Sequence, residues 1–112
     1  MVIVLCGGCF NKLHKGHVYF MSEAKKLGDF LVVVVSNDRL NKKKYGAKAL
    51  PAKKRKAAIE KLGIADKVVI GHEKHFGKAL EDYMPDVIAL GYDQVMPVKT
   101  KIKAVRIGKL DL

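Results

Sequence analysis

The stretch GGCFNKLHKGH (residues 7–17) holds the residues of this chain best suited to chemistry. The two glycines that open it permit backbone torsions closed to other residues and let a ligand approach the main chain. His14 precedes a predicted helix and His17 falls in its first turn, so both imidazoles can point towards the helix N-terminus, which attracts anions. Gly16 leaves room between them. The stretch therefore predicts a phosphate-binding site.

Structural roles for the same histidines are the alternative. His17 could be a buried helix residue satisfied by one hydrogen bond, and His14 could be a solvated loop residue. Two histidines around a glycine, after a glycine turn that follows the first predicted strand, favour the phosphate site.

Cys6 and Cys9 form a C-x-x-C, the spacing of a thioredoxin-like redox pair. The predicted helix begins several residues later, so Cys9 lacks the helix N-terminus that lowers a thiol pKa. We therefore interpret both cysteines as small residues that let the turn pack closely.

His72 and His75 form a second H-x-x-H. Zinc held by these two together with His14 and His17 is conceivable, but structural zinc sites usually include cysteine. We interpret His72 and His75 as loop residues, or as residues that line a cleft, and we predict no metal site made by the protein itself.

Composition sets the outer limits. The chain has 112 residues, 49% of them hydrophobic and 29% charged, which predicts one folded domain over residues 1–112. The net charge of +11 favours anionic partners such as nucleotides, nucleic acid or acidic lipid. No run of 18 apolar residues occurs, and the N-terminal MVIVLC lacks the basic flank and the length of a signal peptide. We expect a cytoplasmic protein.

Apolar runs alternate with segments of helical periodicity. Continuous apolar or β-branched runs predict buried strands at residues 2–6, 30–36, 67–70 and 86–90, with a candidate fifth at 103–107. Helices are predicted at residues 15–27, 51–62 and 76–84. The basic segment 36–50 has no apolar periodicity and is predicted as a loop.

This alternation predicts an α/β fold, a Rossmann-like doubly wound open parallel sheet of about five strands with helices on both faces. Ligands in such sheets bind beyond the carboxyl ends of the strands, near the point where the strand order reverses. The segments after residues 6, 36 and 90 are therefore the expected binding loops.

The motif His14-Lys15-Gly16-His17 resembles the H-x-G-H signature of the cytidylyltransferase-like nucleotidyltransferases, which usually read T-F-D-x-x-H-x-G-H. Further segments resemble the same superfamily: SND (36–38) its S-T-D, Lys44 the basic residue of the following loop, and Pro51 with Arg55 its P-x-x-x-R.

PDVIALGYDQ (85–94) is similar to the matching segment of archaeal FAD synthetases in this superfamily. Glycerol-3-phosphate cytidylyltransferases usually carry G-D-D-W where this chain has GYDQ. Asn11 stands where the superfamily usually has Asp. Relatives also continue past KAVRIGKLDL (103–112) into a Ser/Thr-rich segment, so we expect either a shortened form or another group that does that work.

The resemblance implies nucleotidyl transfer. A phosphate oxygen of the acceptor attacks the α-phosphorus of a nucleoside triphosphate in line, and pyrophosphate leaves, which requires alignment and charge neutralisation. The resemblance implies that the H-x-G-H residues His14, Lys15, Gly16 and His17 bind the nucleotide, with both imidazoles holding and stabilising its α- and β-phosphates.

Other roles are implied in the same way. The backbone of Gly8, Cys9 and Phe10 would support the nucleotide, and Lys44 and Arg55 would balance charge on the acceptor phosphate or on pyrophosphate. Asp93 would contact the ribose or the base, with a simple turn residue as the alternative. Mg²⁺ would be carried largely by the phosphates, since it keeps most of its waters. Relatives commonly form dimers, so a homodimer is expected.

The sequence leaves three functions open. The GYDQ resemblance favours FAD synthesis, in which AMP passes from ATP to FMN. The alternative enzyme would use CTP to cytidylylate glycerol 3-phosphate or a similar phosphorylated alcohol. A domain that binds nucleic acid through the basic segment 41–56 is the non-enzymatic rival.

Overall fold

The computed structural model describes residues 1–72, 77–96 and 98–110. The strands are β1 (Ile3–Gly8), β2 (Phe30–Val35), β3 (Lys67–Ile70), β4 (Val87–Leu90) and β5 (Lys103–Arg106). The α-helices are α1 (Lys15–Lys25), α2 (Asp38–Tyr45), α3 (Ala52–Leu62) and α4 (Lys78–Tyr83), and a 3₁₀ turn covers Gly46–Lys48.

The five strands form one parallel sheet in the order β3-β2-β1-β4-β5. The chain moves outward from β1 to β2 and β3, then crosses back to place β4 on the other side of β1. Since such crossovers are right-handed, α1 and α3 lie on one face and α4 on the opposite face. The predicted Rossmann-like doubly wound fold is confirmed, and its switch point lies between β1 and β4.

The core sits around the two central strands that the apolar runs predicted. Val4 of β1 and Val33 and Val35 of β2 are fully buried, and Met21 of α1 and Ile59 of α3 cover them. Each such side chain contributes about 1.5–3 kcal/mol on burial. A rigid sheet of this kind fixes the loops at its carboxyl edge.

The segment predicted as a loop, residues 36–50, contains helix α2. Asn37 caps it by accepting a hydrogen bond from the Leu40 amide at 2.9 Å. Asp38 lies in the first turn and three lysines lie in the last, an arrangement that the helix dipole stabilises. The residue that it buries completely is Asn41, so no apolar stripe reveals the helix.

Other boundaries differ slightly. Strand β1 runs on through Gly8, so Gly7 and Gly8 end the strand instead of forming the predicted glycine turn, and neither has a positive φ. Helix α1 ends at Lys25 rather than Leu27. The predicted start of the last helix at Phe76 lies outside the described residues, and α4 begins at Lys78. Within the part of the chain that the structure describes, no helix combines the length and apolar character that a membrane span requires.

Candidate active site

His14 and His17 hold the start of α1 together through their ring nitrogens. His14 is the N-cap residue, and its Nδ1 accepts a hydrogen bond from the Gly16 amide at 3.0 Å. Nδ1 of His17 accepts from the His14 amide at 3.3 Å, which closes a reciprocal capping box. A neutral imidazole that accepts at Nδ1 carries its proton on Nε2. Each ring therefore keeps an Nε2–H donor for a ligand.

The two rings lie against one another, with centroids 3.9 Å apart and planes inclined by 25°. A methyl group on Gly16 would come within 2.8 Å of Cε1 of His14, closer than carbon atoms tolerate. The His14 ring lies so close to the backbone of residue 16 that only glycine fits there without moving the ring. This explains in physical terms why a glycine stands between the two histidines.

The Phe10 ring packs against His17, one member of the pair. Its ring meets that of His17 edge to face, with centroids 5.3 Å apart and an interplanar angle of 68°. The Phe10 backbone is left-handed, with φ of 47°, a conformation that a bulky residue adopts only under constraint and that clusters at functional sites. A side chain on Gly8 would meet the Phe10 ring at 3.1 Å. The absence of a side chain at Gly8 thus makes room for the Phe10 ring, which contacts His17.

Partial burial, followed by the repulsion that His14 exerts when its ring is protonated, lowers the pKa of His17 below 6.5. A lowered pKa keeps His17 neutral at pH 7, in the form whose Nδ1 can accept from the backbone. His17 is thereby a hydrogen-bond donor to a phosphate oxygen rather than a resident cation.

A cleft of about 480 Å³ opens beside the pair, at the carboxyl ends of β1 and β4. It meets the size expected of a small-ligand site and lies at the switch point of the sheet. Eight of the predicted site residues line it: Gly8, Cys9, Phe10, His14, Gly16, His17, Lys44 and Asp93. Lys15 and Arg55 are not among the described residues that line it.

Two lysine–tyrosine pairs line the cleft. Nζ of Lys44 lies 5.5 Å from the ring centroid of Tyr45 at the end of α2, and Nζ of Lys109 lies 5.6 Å from that of Tyr92 after β4. Cations at this distance are attracted to the ring face. The cleft thus offers positive charge for phosphates beside flat rings suited to a base, and α2, absent from the sequence-based prediction, carries one of the pairs.

Arg55 lies in the interior and not among the residues that line the cleft. Its side chain is fully buried. Nε donates to the Leu50 carbonyl at 2.8 Å, and Nη1 donates to the Cys9 carbonyl at 2.8 Å and to Oγ of Ser36 at 3.1 Å. The carboxylate of Asp38 lies 3.4 Å from Nη2. In this structure Arg55 positions the backbone directly after β1 from the interior, because these acceptors take up its guanidinium.

Asn11, where the superfamily that the motifs resemble usually has Asp, links the loop after β1 to the segment after α2. Its Oδ1 accepts from Nδ2 of Asn41 at 2.9 Å and from the Leu50 amide at 2.8 Å. Its Nδ2 donates to the Lys48 carbonyl at 3.1 Å, a bond that a carboxylate could not donate. Asn11 therefore helps to place the segment that carries Lys44, and its contacts explain the residue type.

Gln94 and Arg106 hold the loop that carries Asp93, and sequence reasoning missed both. Nε2 of Gln94 donates to the Gly7 carbonyl at 2.7 Å, and its Oε1 accepts from the Gly91 amide at 2.7 Å. Arg106 on β5 donates to the carbonyls of Gly91 and Gln94, each at 2.8 Å. The GYDQ segment contained the signal for Gln94, whereas nothing local marks Arg106.

The structure also bears on the predictions for the two cysteines and for His72. Burial in β1 raises the pKa of Cys6 to about 12, so its thiol is unreactive at neutral pH, which disfavours a redox pair with Cys9. His72 lines a second cavity, described below. His75 lies outside the described residues.

The donor set of the cleft bears on a divalent metal. Among the described residues no group of three or more histidine, cysteine or acidic side chains is placed to hold a metal ion. Asp93 lines the cleft together with the cationic side chains of Lys44 and Lys109. This lining is compatible with Mg²⁺ carried by the phosphates of a bound nucleotide, since such an ion keeps most of its waters and needs few carboxylates from the protein.

A family profile described as cytidylyltransferase-like matches residues 5–109, and the chain belongs to this family. Curated relatives bear the name FAD synthase. The one from Aciduliprofundum boonei is 40% identical over 119 residues, covering 97% of this chain and 80% of its own. The one from Thermoplasma volcanium is 36% identical over 121 residues, covering 99% and 85%.

A third relative of that name, from Ferroglobus placidus, is 44% identical over 91 residues, and the match spans 81% of this chain but 59% of the relative. A solved structure titled as the lipopolysaccharide core biosynthesis protein from Thermoplasma volcanium matches with a TM-score of 0.88 and 35% identity, covering 99% of both chains.

Proposed function

We propose that this protein is a nucleotidyltransferase that acts as an FAD synthase, transferring AMP from ATP to FMN with release of pyrophosphate. The observation that carries the proposal is the stacked His14–His17 pair, with both Nε2–H groups available, at a cleft on the switch point. The names of the curated relatives support the choice of ATP and FMN.

The reaction needs no protein nucleophile. An oxygen of the FMN phosphate attacks the α-phosphorus of ATP, a new P–O bond forms, and the bond from that phosphorus to the oxygen bridging the α- and β-phosphates breaks. Pyrophosphate leaves with the bridging oxygen. Atoms and charge balance without any redox step.

The chain's own groups do the positioning. Nε2–H of His14 and of His17 donate to oxygens of the α- and β-phosphates, and the backbone around Gly8, Cys9 and Phe10 lets the phosphates approach. Lys44 neutralises charge on the acceptor phosphate or the departing pyrophosphate, while Asp93 contacts the ribose or base. Mg²⁺ carried by the phosphates would supply further neutralisation of charge on their oxygens.

Donors preorganised in this way act more strongly than water, because they need not reorient as charge moves to the leaving group. The capping box fixes both rings before substrate arrives. Lys15, at the exposed first position of α1, stays a predicted nucleotide contact.

Pyrophosphate release tests the proposal. The purified protein is incubated with ATP or CTP, each against FMN and glycerol 3-phosphate, with Mg²⁺. We expect release with ATP and FMN, together with FAD as product. Release with CTP and glycerol 3-phosphate alone would establish the alternative enzyme. Binding of RNA or DNA that weakens steeply with salt, without release in any mixture, would establish the nucleic-acid-binding alternative.

Two further expectations accompany the proposal: a homodimer, to be measured by light scattering after gel filtration, and a cytoplasmic location.

A further inference from the structure

A second cavity, of about 380 Å³, also opens at the carboxyl end of β1. Its walls are mostly apolar and come from β2, α2, α4, β4 and the segment after β4. The side chains that matter here are Val34, Leu40, Leu80, Ile88, Val95 and Met96. We call it the apolar cavity.

The apolar cavity shares a wall with the cleft of about 480 Å³ beside His14 and His17, which we call the histidine cleft. Gly7, Gly8, Cys9 and Gln94 line both. The Gln94 side chain crosses from the loop after β4 to the Gly7 carbonyl and forms the partition. A molecule in either cavity can therefore reach the bare backbone of Gly7 and Gly8.

The reaction requires such a pair of sites. In-line attack brings the acceptor to the α-phosphorus from the side opposite to pyrophosphate, so acceptor and nucleotide must approach from different directions. The histidine cleft has the phosphate donors and the lysines. The apolar cavity then remains for the body of the acceptor, with the acceptor phosphate near Gly7 and Gly8.

The lining indicates the chemistry of that body. Val95 is 84% exposed and Leu40 is 36% exposed, so this mouth keeps apolar side chains in water that a ligand could cover. Ser36 also lines the cavity, and its hydroxyl accepts from Arg55 and retains its hydrogen for donation. An apolar slot with a donor in its lining suits a flat ring system with polar edge atoms and suits glycerol 3-phosphate poorly.

We propose that the apolar cavity binds the isoalloxazine ring of the FMN acceptor, with Leu40, Leu80 and Val95 against the ring. This inference rests on the proposed function, since that function names the acceptor. It assigns the acceptor ring and the nucleotide to opposite sides of Gln94.

The test uses riboflavin, which has the ring and lacks the phosphate. Binding of riboflavin and FMN is followed by the change in flavin fluorescence, and riboflavin is tested as an inhibitor of AMP transfer. We expect riboflavin to bind, to compete with FMN and not to compete with ATP. Flavin binding to the unmodified protein is measured first, so the result does not depend on any variant folding.

A matched pair of variants then locates the ring. Val95→Asn places a polar group at the cavity mouth, and Met84→Asn makes the same kind of change at an exposed apolar residue that does not line the cavity. Val95→Asn should weaken FMN and riboflavin about tenfold alike, the scale of losing one apolar contact of this size. The Met84→Asn protein should match the unmodified protein, and the KM for ATP should stay within about twofold in both.

The outcomes separate the two claims. If FMN binds and is adenylylated but riboflavin does not bind, or Val95→Asn behaves like Met84→Asn, the ring lies elsewhere and the inference is wrong. If both flavins bind with the expected Val95 dependence but no pyrophosphate is released, the assignment of the cavity stands and the proposed function fails. If neither flavin binds, both fail.

Discussion

The imidazole rings of His14 and His17 are stacked 3.9 Å apart, and each ring accepts a backbone hydrogen bond through Nδ1. One end of each ring thus belongs to the helix and the other end to the cleft. Substitutions can therefore separate helix capping from contact with a ligand in the cleft.

Replacing His14 by Asn separates capping from catalysis. Asn is a good N-cap residue, so His14→Asn should keep the free energy of unfolding within about 0.5 kcal/mol while kcat falls about 10² because the Nε2–H donor is lost. His14→Ala loses the cap as well, at a further cost of about 1 kcal/mol. Denaturant unfolding and pyrophosphate release measure the two effects. Retained turnover in His14→Asn would show that the ring does not act on the phosphates.

The lowered pKa of His17 predicts a pH dependence of stability. The unfolded chain takes up a proton at this histidine near pH 6.5, whereas the folded protein does so at lower pH. Between those two values the unfolded state binds more protons, so the stabilising contribution present above about pH 6.5 is lost as the pH falls through the folded pKa. Urea midpoints from pH 8 to pH 5.5 should fall more steeply for the unmodified protein than for His17→Gln. Parallel curves would contradict the lowered pKa.

Arg55 is expected to be structural. Arg55→Met leaves the carbonyls of Cys9 and Leu50 without their buried donor, and the free energy of unfolding should fall by about 3 kcal/mol. Arg55→Lys should be destabilised nearly as much, since an ammonium cannot reproduce the planar fork. The neighbouring exposed Lys54→Met is the control and should be neutral. A stable Arg55→Met protein with low turnover would support a direct phosphate contact instead.

Lys44 and Lys43 are adjacent on α2, but of the two only Lys44 lines the cleft. Removing a charged donor to a phosphate costs about tenfold or more, so Lys44→Met should lower kcat/KM by about that factor. Lys43→Met removes the same charge from the protein and should leave kcat/KM unchanged. Equal effects of the two variants would show that α2 acts through its overall charge alone.

The strands were predictable because their signal is local. The apolar runs of β1 and β2 indicate strands buried on both faces, which is typical of a parallel sheet covered by helices, the arrangement that the structure shows. The position of His14 before α1 and of His17 in its first turn followed from the predicted helix start.

What the sequence could not reveal depends on polar contacts between distant residues. Helix α2 buries Asn41, which bonds to Asn11 thirty positions earlier, so its stability leaves no apolar periodicity. Arg55 stands on a helix with apolar and cationic residues, and sequence alone could not show that its guanidinium turns inward to the Cys9 carbonyl. Gln94 meets Gly7 across 87 positions, a contact created by the sheet alone.

The use of one imidazole both to begin α1 and to face the cleft has an evolutionary consequence. A substitution at position 14 must satisfy two separate requirements, since it affects both the capping of α1 and the turnover of the enzyme. A library randomised there and selected for stable protein should return Asn, Asp and Ser beside His, because all of these cap helices. The same library selected for product should return His alone.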